Sequence, residues 1–241
     1  MSNHFKRQAK QLTPSFLLKT RKLYRSTKQI RDAALDARQS TDPAHWLKIT
    51  KATPYLRSQQ IESEIVPFLN TVQAANVRTC LEIGTAKGGT LFMLMQACSP
   101  EATIISIDLQ NPFDKRFRLR FGKQSAQTIH LIAGNSQANT SFNQVRNLLN
   151  GSALDLLFID GDHSYTGVRR DYELYAPLVK QGGIIAFHDI MPDHGTLYGQ
   201  KTSSKAGEVY KLWQEIHPQY KCVEFVDAAG QDGFGIGMII K

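Results

Sequence analysis

Two carboxylates and a histidine follow one apolar stretch of the chain within four positions. Residues 154–167 read LDLLFIDGDHSYTG, and the apolar run ends at Asp160, Asp162 and His163. A second histidine–aspartate pair directly follows the apolar run GIIAF. Carboxylate oxygens and imidazole nitrogens bind divalent metals, and a histidine near neutrality can take the proton of a hydroxyl. These residue types predict a metal centre, a general base, or both.

The segment LEIGTAKGGT follows another apolar run and departs from the phosphate-binding patterns of nucleotide sites. Its three glycines are not spaced as G-x-G-x-x-G, and Lys87 precedes the last two glycines instead of following them. Glu82 would repel a pyrophosphate and suits a ligand that carries an ammonium or sulfonium group. Asp108 ends the next apolar run and can accept both hydroxyls of a ribose. A nucleoside joined to an amino acid through a cation, S-adenosylmethionine, meets these requirements.

The apolar runs that position these side chains predict an α/β fold with a doubly wound, mostly parallel sheet of seven strands. Most runs are continuous, which is typical of strands covered on both faces by helices. Because ligands bind beyond the carboxyl ends of such strands, the polar strand ends should converge. The predicted strands are 77–84, 103–108, 128–133, 154–160, 183–188, 220–226 and 234–240. The predicted helices are 88–97, 138–149, 165–178 and 205–216, with a basic, partly helical connection over 112–126. No helix separates the last two strands, so we predict that they form an antiparallel pair at one edge.

The motifs EIGTAKGGT, GNSQ and FIDGDHSY, together with the ribose acid, resemble those of class I S-adenosylmethionine-dependent methyltransferases. The similarity covers about residues 55–240. It is closest to catechol, caffeoyl-CoA and macrolide-sugar O-methyltransferases and to cephalosporin-hydroxylase-like bacterial proteins. The resemblance implies a Rossmann-like methyltransferase fold. It also implies metal-assisted methyl transfer to a hydroxyl of a small molecule or glycan.

The resemblance also implies which residues bind the cofactor. Glu82, Gly84 and Thr90 would hold the methionine end. Asp108 would hold the ribose. The segment with Ser136 and Gln137 would contact adenine. The full implied set is Glu82, Gly84, Thr85, Ala86, Gly88, Thr90, Asp108, Ser136, Gln137 and Asp160.

For the chemistry, the resemblance implies a metal held by Asp160, His188 and Asp189, with His163 as the catalytic residue. Related enzymes usually carry Asp or Glu where this chain has His188. An imidazole ligand suits Mn, Fe or Zn better than Mg, so Mg, Mn or another divalent ion is expected. Three alternatives remain: a metal-independent methyltransferase with a histidine base, a cephalosporin-hydroxylase-like protein, and a non-catalytic S-adenosyl-binding protein.

The net charge of +8 comes from the start of the chain, since residues 1–31 hold nine Lys or Arg and no acid. We predict a basic, helical extension over residues 1–54 and the S-adenosylmethionine-binding domain over residues 55–241. Apolar residues within the basic arm make an anionic membrane surface a possible partner, and the extension is a plausible homodimer element. Nucleic acid is an unexpected partner because no RNA-reading motif accompanies the charge.

Composition points to a cytoplasmic protein that could lie peripherally at the membrane. No apolar run approaches membrane-spanning length, and no secretory signal is visible. The three cysteines are scattered, as expected for reduced thiols.

Overall fold

The computed structural model describes residues 14–111, 113–202 and 204–241, which form one seven-stranded sheet between helices. The strands are β1 Thr79–Ile83, β2 Thr103–Asp108, β3 Thr128–Ala133, β4 Leu154–Ile159, β5 Val179–His188, β6 Lys221–Phe225 and β7 Ile236–Ile240. The helices are α1 Pro14–Ala37, α2 Pro43–Ala52, α3 Glu62–Ala74, α4 Gly89–Ala97, α5 Phe113–Leu119, α6 Asn139–Leu149, α7 Tyr165–Tyr175, α8 His194–Tyr198 and α9 Val209–Ile216.

The strand order is β3-β2-β1-β4-β5-β7-β6, and the first five strands in this order are parallel. The predicted doubly wound sheet is therefore confirmed. The predicted antiparallel edge pair is also confirmed, because β7 pairs antiparallel with both β5 and β6. Strand β5 begins earlier than predicted, at Val179 instead of Gly183. The carboxyl ends of β1, β2, β4 and β5 share one edge of the sheet.

Both faces of the sheet are buried, which explains the continuous apolar runs of the central strands. On one face Phe158 of β4 packs against Phe68 of α3, with ring centroids 5.4 Å apart. On the other face Phe187 of β5 packs against Trp213 of α9 at 6.0 Å. Each central strand thus contributes alternate side chains to two separate cores.

The N-terminal helices pack on the first of these cores. Ile30, Ala34 and Ala37 of α1 are buried there, and the indole N–H of Trp46 donates to the carbonyl of Ala37 at 3.1 Å. The described part of the predicted extension therefore shares a core with the sheet, and the boundary at residue 54 stays a prediction. The rest of the basic arm, residues 1–13, lies outside the described residues, as does Pro112 of the predicted connection.

The first half of α1 differs from its second half because most of its described side chains, over residues 17–25, are exposed. Leu17 and Leu18 are 50% and 66% exposed and lie among basic residues. Across the part of the chain that the structure describes, no helix combines the length and the apolar character needed to span a bilayer.

Asp155 of β4 fastens the start of β1 to the sheet. Its Oδ2 accepts hydrogen bonds from the backbone N–H groups of Arg78 and Thr79 at 2.7 and 2.9 Å. Its Oδ1 lies 2.5 Å from Nζ of Lys180. Burial raises the pKa of Asp155, but the hydrogen bonds from Lys180, Arg78 and Thr79 outweigh burial and lower it. The carboxylate is thus stabilised in its charged form.

We predict that Asp155→Ala lowers the free energy of unfolding at pH 7 by about 1–3 kcal/mol, since the backbone N–H groups of Arg78 and Thr79 lose a charged acceptor. The pKa of Asp155 is lower in the folded protein than in the unfolded protein. Its contribution to stability is therefore fully present above the unfolded-state pKa and is lost as pH falls through the folded-state pKa. Urea unfolding at pH 7 and pH 3 tests both effects. The Glu101→Ala variant, which removes only an exposed partner of Arg78, is the control. An equal deficit at both pH values would contradict the electrostatic role.

Candidate functional site

The loop after β1 bends sharply around the end of β4. Gly84 has φ +95°, and a Cβ at this position would lie 1.9 Å from the carbonyl oxygen of Asp160. Ala86 also adopts a left-handed conformation, with φ +43°, and its N–H donates to Oδ2 of Asp108 at 2.7 Å. The predicted cofactor loop therefore touches both the predicted ribose acid and the predicted metal ligand.

Helix α4 begins directly after this loop, with Gly88 as its N-cap. Thr90 lies half-buried in its first turn, where its hydroxyl accepts a hydrogen bond from Nε2 of Gln60 at 3.4 Å. Thr85 is buried and lies 2.6 Å, oxygen to oxygen, from the hydroxyl of Ser106 in β2. All of the predicted methionine-end residues thus lie between the end of β1 and the first turn of α4.

Glu82 is a fully buried acid with one oxygen unused. The hydroxyl of Ser106 donates to its Oε2 at 2.5 Å. Its Oε1 has no hydrogen-bond partner among the residues that the structure describes. Burial raises the pKa of Glu82 to about 8; the bond from Ser106 opposes this rise, and the charges of Asp160 and Asp108 add to it. A free buried carboxylate oxygen suits the ammonium group of an amino-acid ligand.

Asp108 ends β2 and is already bound by two backbone donors, the N–H groups of Gln110 at 2.6 Å and of Ala86. A third group, the ammonium of Lys115, lies 3.5 Å from its Oδ2. Burial lowers the pKa of Lys115, and Asp108 partly offsets that effect. Lys115 was not predicted as a site residue. The signal that could have revealed it is its helical spacing from Leu119, which is also buried.

The predicted adenine segment lies beside the end of β4. The carbonyl of Ser136 accepts a hydrogen bond from the hydroxyl of Tyr175 at 2.7 Å. Nε2 of Gln137 donates to Oδ2 of Asp162 at 3.3 Å and to the carbonyl of Gly167 at 3.4 Å. The nucleoside end of the predicted site is therefore adjacent to the DGDH motif.

The acid–imidazole cluster lies at the ends of β4 and β5. Ligand atoms of Asp160, His163 and Asp189 all lie within 4.8 Å of one another. His163 Nε2 is 3.4 Å from Asp160 Oδ1, and His163 Nδ1 is 3.1 Å from Asp189 Oδ2. Asp189 has φ +64°, a conformation that non-glycine residues adopt rarely and that is concentrated at functional sites.

His188, which was predicted as the third metal ligand, is buried beside Asp160 and Asp189. It is 6% exposed, and its Nδ1 is 3.2 Å from Asp160 Oδ1 and 3.4 Å from Asp189 Oδ1. Neither ring nitrogen makes a well-aligned hydrogen bond to any described residue. All four predicted catalytic and metal residues are therefore together, and His163 lies in the compact donor set. Their individual roles stay predictions.

The charges within the cluster depend on one another. Burial raises the pKa of Asp160, but His188 and His163 outweigh burial and lower it to about 2. Burial lowers the pKa of His163, but Asp160 and Asp189 raise it to about 9. Burial also lowers the pKa of His188, but Asp160 and Asp189 outweigh burial and raise it well above its usual range.

A backbone carbonyl fixes the tautomer of His163. Its Nδ1 lies 2.6 Å from the carbonyl oxygen of Lys205, and because a carbonyl only accepts, Nδ1 carries a hydrogen. In the neutral ring Nε2 is then the atom available for a metal or a proton.

Known proteins resemble this chain in sequence and in fold. Residues 81–190 match the family model described as "Methyltransferase domain". The structure of an O-methyltransferase from Bacillus cereus in complex with S-adenosylhomocysteine superposes with a TM-score of 0.59 at 16% identity, covering 84% of this chain and 91% of that one. The chain has the class I S-adenosylmethionine-dependent methyltransferase fold. The resemblance predicted from the motifs is thereby confirmed.

Two further proteins are similar to this chain. An uncharacterized protein of Acanthamoeba polyphaga mimivirus is 32% identical over 147 residues, 59% of this chain and 65% of that protein. The chain thus aligns with just under two thirds of that relative. The methyltransferase MycE from the mycinamycin biosynthetic pathway, in complex with Mg, S-adenosylhomocysteine and mycinamycin VI, gives a TM-score of 0.52 at 15% identity. That match covers 83% of this chain and 53% of MycE.

We predict that the affinity of this chain for S-adenosylhomocysteine rises between pH 6.5 and 8. In the free protein Glu82 has a pKa of about 8, so it binds a proton over most of this range. The ammonium group of the ligand favours the carboxylate form of Glu82, so binding releases that proton. The affinity should therefore rise with pH, by about tenfold per pH unit at most.

Calorimetric titrations in buffers of different ionisation enthalpy measure both the affinity and the proton release. The Glu82→Gln variant should bind more weakly and show a flat profile, whereas Glu173→Gln, at an exposed position, should behave like the wild type. The same pH slope in Glu82→Gln would show that another group releases the proton.

Proposed function

We propose that this protein transfers the methyl group of S-adenosylmethionine to a hydroxyl of a small molecule or glycan, with the help of a divalent metal. The observation that carries the proposal is the contact between its two half-sites. The N–H of Asp160 donates to the carbonyl of Ile83 at 2.8 Å, and the carbonyl of Asp160 lies against Gly84. The candidate cofactor loop and the acid–imidazole cluster therefore form one continuous site.

The reaction makes few demands beyond placement and proton removal. A sulfonium methyl is already activated, so the protein must hold the acceptor oxygen in line with it and remove the hydroxyl proton. A divalent ion, when bound, supplies Lewis-acid chemistry that lowers the pKa of the hydroxyl. Asp160 and Asp189 would anchor the ion. His163, whose Nδ1 is fixed by the carbonyl of Lys205, would present Nε2 either to the ion or to the proton.

The donor atoms suit such an ion. Two carboxylate oxygens and one imidazole nitrogen match Mn²⁺, Fe²⁺ or Zn²⁺ and do not exclude Mg²⁺. The side chains of Asp160 and His163 are 19% and 29% exposed, so an acceptor can reach them. His188, buried beside Asp160 with both ring nitrogens lacking aligned partners, is the alternative imidazole ligand. The Mg in the MycE complex supports a metal in this fold.

A metal-independent reaction with His163 as base is the second candidate, and the charges of the site weigh against it. Without a metal, Asp160 and Asp189 raise the pKa of His163 to about 9, so near neutral pH both ring nitrogens carry a hydrogen and the imidazolium cannot accept the hydroxyl proton.

An exposed row of aromatic side chains on and after α5 is a candidate surface for the acceptor. Phe113, Phe117 and Phe121 form a row with centroids 6.0 and 5.4 Å apart, and each is more than a third exposed. We propose that this aromatic row faces a small-molecule or glycan acceptor.

The exposed basic residues in the first half of α1 suit an anionic membrane surface or a homodimer contact, in a cytoplasmic protein.

We predict that Mn²⁺ binds the protein when it is saturated with S-adenosylhomocysteine. Asp160→Asn should weaken Mn²⁺ binding by more than about tenfold, because loss of a residue that only hydrogen-bonds to a metal ligand already lowers metal affinity by about that factor. Calorimetric titration of Mn²⁺, then of Mg²⁺, measures the effect. Asp162→Asn removes a carboxylate two positions away, outside the donor set, and is the matched control.

Three results would change the proposal. No heat with either ion, in protein shown to bind S-adenosylhomocysteine, would reject the metal and leave a metal-free site. Equal loss in Asp160→Asn and Asp162→Asn would place the metal elsewhere. Wild-type protein that fails to bind S-adenosylhomocysteine at all would reject the proposed methyl transfer.

A further inference from the structure

The segment just before α9 lies against His163 at two points. The carbonyl oxygen of Lys205 is 2.6 Å from His163 Nδ1, although Lys205 lies 42 positions later in the chain. The N–H of Glu208 donates to the carbonyl of His163 at 2.7 Å. Residues 205–208, which we call the His163 clamp, therefore hold both the ring and the main chain of the proposed catalytic residue.

The clamp leaves no room for a side chain at Gly207. This residue has φ +64°, a conformation that favours glycine. A Cβ at Gly207 would lie 2.4 Å from the carbonyl oxygen of His163 and 2.9 Å from its Cβ. Both distances are far shorter than an ordinary van der Waals contact. Any side chain at this position must therefore push the clamp and His163 apart.

The opposite side of the clamp is closed as well. Ala206 is fully buried, and Ser204 packs against Gly233 in the loop between β6 and β7. A Cβ at Gly233 would lie 1.9 Å from the hydroxyl oxygen of Ser204 and 3.2 Å from Cβ of Ala206. The clamp thus lies between His163 and this loop, and it has little room to move away from the imidazole.

The clamp determines which atoms of the acid–imidazole cluster are free. Because the Lys205 carbonyl takes the hydrogen on Nδ1, the other ring nitrogen, Nε2, is left 3.4 Å from Oδ1 of Asp160. The competing acceptor for Nδ1 is Oδ2 of Asp189, at 3.1 Å. A ring that bonded to Asp189 instead would occupy a carboxylate oxygen that we assign to the metal. The clamp therefore keeps both Nε2 and this oxygen available.

We propose that Gly207 is a positioning residue for His163, because it lets the clamp hold Nδ1 and leave Nε2 for the ion or the hydroxyl proton. This inference rests on the proposed function, in which His163 and Asp189 act at the metal. Gly207 acts through the Lys205 carbonyl and not by its own contact with a ligand. Groups that hydrogen-bond to a metal-binding histidine contribute about tenfold to hundredfold to metal affinity.

The decisive variant is Gly207→Ala, and Gly199→Ala is its matched control. Both glycines have φ +64°, but a Cβ at Gly199 would have no atom within 4 Å. The two variants share the cost of a left-handed alanine, and only Gly207→Ala collides with His163. In protein saturated with S-adenosylhomocysteine, Gly207→Ala should bind Mn²⁺ about tenfold to hundredfold more weakly than the wild type. Gly199→Ala should match the wild type, and both variants should keep their affinity for S-adenosylhomocysteine.

Hydrogen exchange of the His163 ring tests the clamp without a metal. In wild-type protein labelled at its histidine nitrogens, Nδ1–H of His163 should give a slowly exchanging NMR signal, because it is bonded to the Lys205 carbonyl. The signal is identified by its loss in His163→Asn. It should exchange at least about tenfold faster in Gly207→Ala and at the wild-type rate in Gly199→Ala. A general loss of stability would affect both glycine variants alike.

Two results from the glycine variants would overturn the proposal. One is wild-type Mn²⁺ affinity and ring exchange in Gly207→Ala. The other is an equal loss in Gly199→Ala, which would make backbone strain the cause. If Gly207→Ala does not fold, Glu208→Ala replaces it, since Oε2 of Glu208 accepts the N–H of Tyr165 at 3.2 Å and ties the clamp to α7. Its ring exchange should be faster, and Glu208→Gln, which keeps an acceptor oxygen, should restore the wild-type rate.

The wild-type protein separates failure of this inference from failure of the proposed function. Absence of a slowly exchanging Nδ1–H signal would overturn the clamp. A protein that shows the signal but binds no Mn²⁺ would reject the metal, and ring exchange in the variants alone would then decide on Gly207. A protein that does not bind S-adenosylhomocysteine would reject the proposed function.

Discussion

The backbone of Asp160 passes so close to Gly84 that no side chain fits between them. A Cβ at Gly84 would lie 1.9 Å from the carbonyl oxygen of Asp160, a distance that no substitution could accommodate without moving a strand end. Adjacent strands β1 and β4 therefore end in direct contact, and the cofactor loop shares one wall with the acid–imidazole cluster. The rest of the candidate site depends on this contact, because methyl transfer requires donor and acceptor to be held within bonding reach of each other.

Four acids meet at this edge of the sheet, and the protein stabilises them in three different ways. Glu82 is buried beside Ser106, and its raised pKa of about 8 keeps it largely uncharged at neutral pH. Asp108 is covered by two backbone N–H groups and by the ammonium of Lys115. The pair formed by Asp160 and Asp189 is balanced by two imidazoles. Without these arrangements the like charges would repel one another across a few ångströms of protein interior.

The strands and the ligand-binding edge of the sheet could be predicted from the sequence, because both follow from the order of apolar and polar residues along the chain. Continuous apolar runs located the strands, and two of them, Thr103–Asp108 and Thr128–Ala133, match the prediction to the residue. Polar strand ends then indicated the edge at which a ligand binds. Helix Glu62–Ala74 was not predicted, and Pro67 inside it weakens the helical signal, because proline normally ends or kinks a helix.

The parts that were not predicted depend on side-chain direction, which the one-dimensional pattern does not contain. The run around Lys115 was predicted only as a basic, partly helical connection, yet that lysine turns inward while its neighbours stay partly exposed. That His163, and not His188, shares the compact donor set with Asp160 and Asp189 also depends on side-chain direction. The left-handed backbone at Asp189 was equally absent from the sequence pattern, because Asp is enriched in this conformation but still adopts it uncommonly.

In both half-sites, cationic side chains of the protein lie beside the buried acids. In the free protein Lys115 lies beside Asp108, the proposed ribose acid, and His163 and His188 lie beside the pair at the ends of β4 and β5. The ligands that we propose bring cations of their own, an ammonium and a sulfonium in one half and a divalent metal in the other. The ammonium would pair with Glu82 and the metal with Asp160 and Asp189, so that binding leaves none of these three carboxylates buried without a partner.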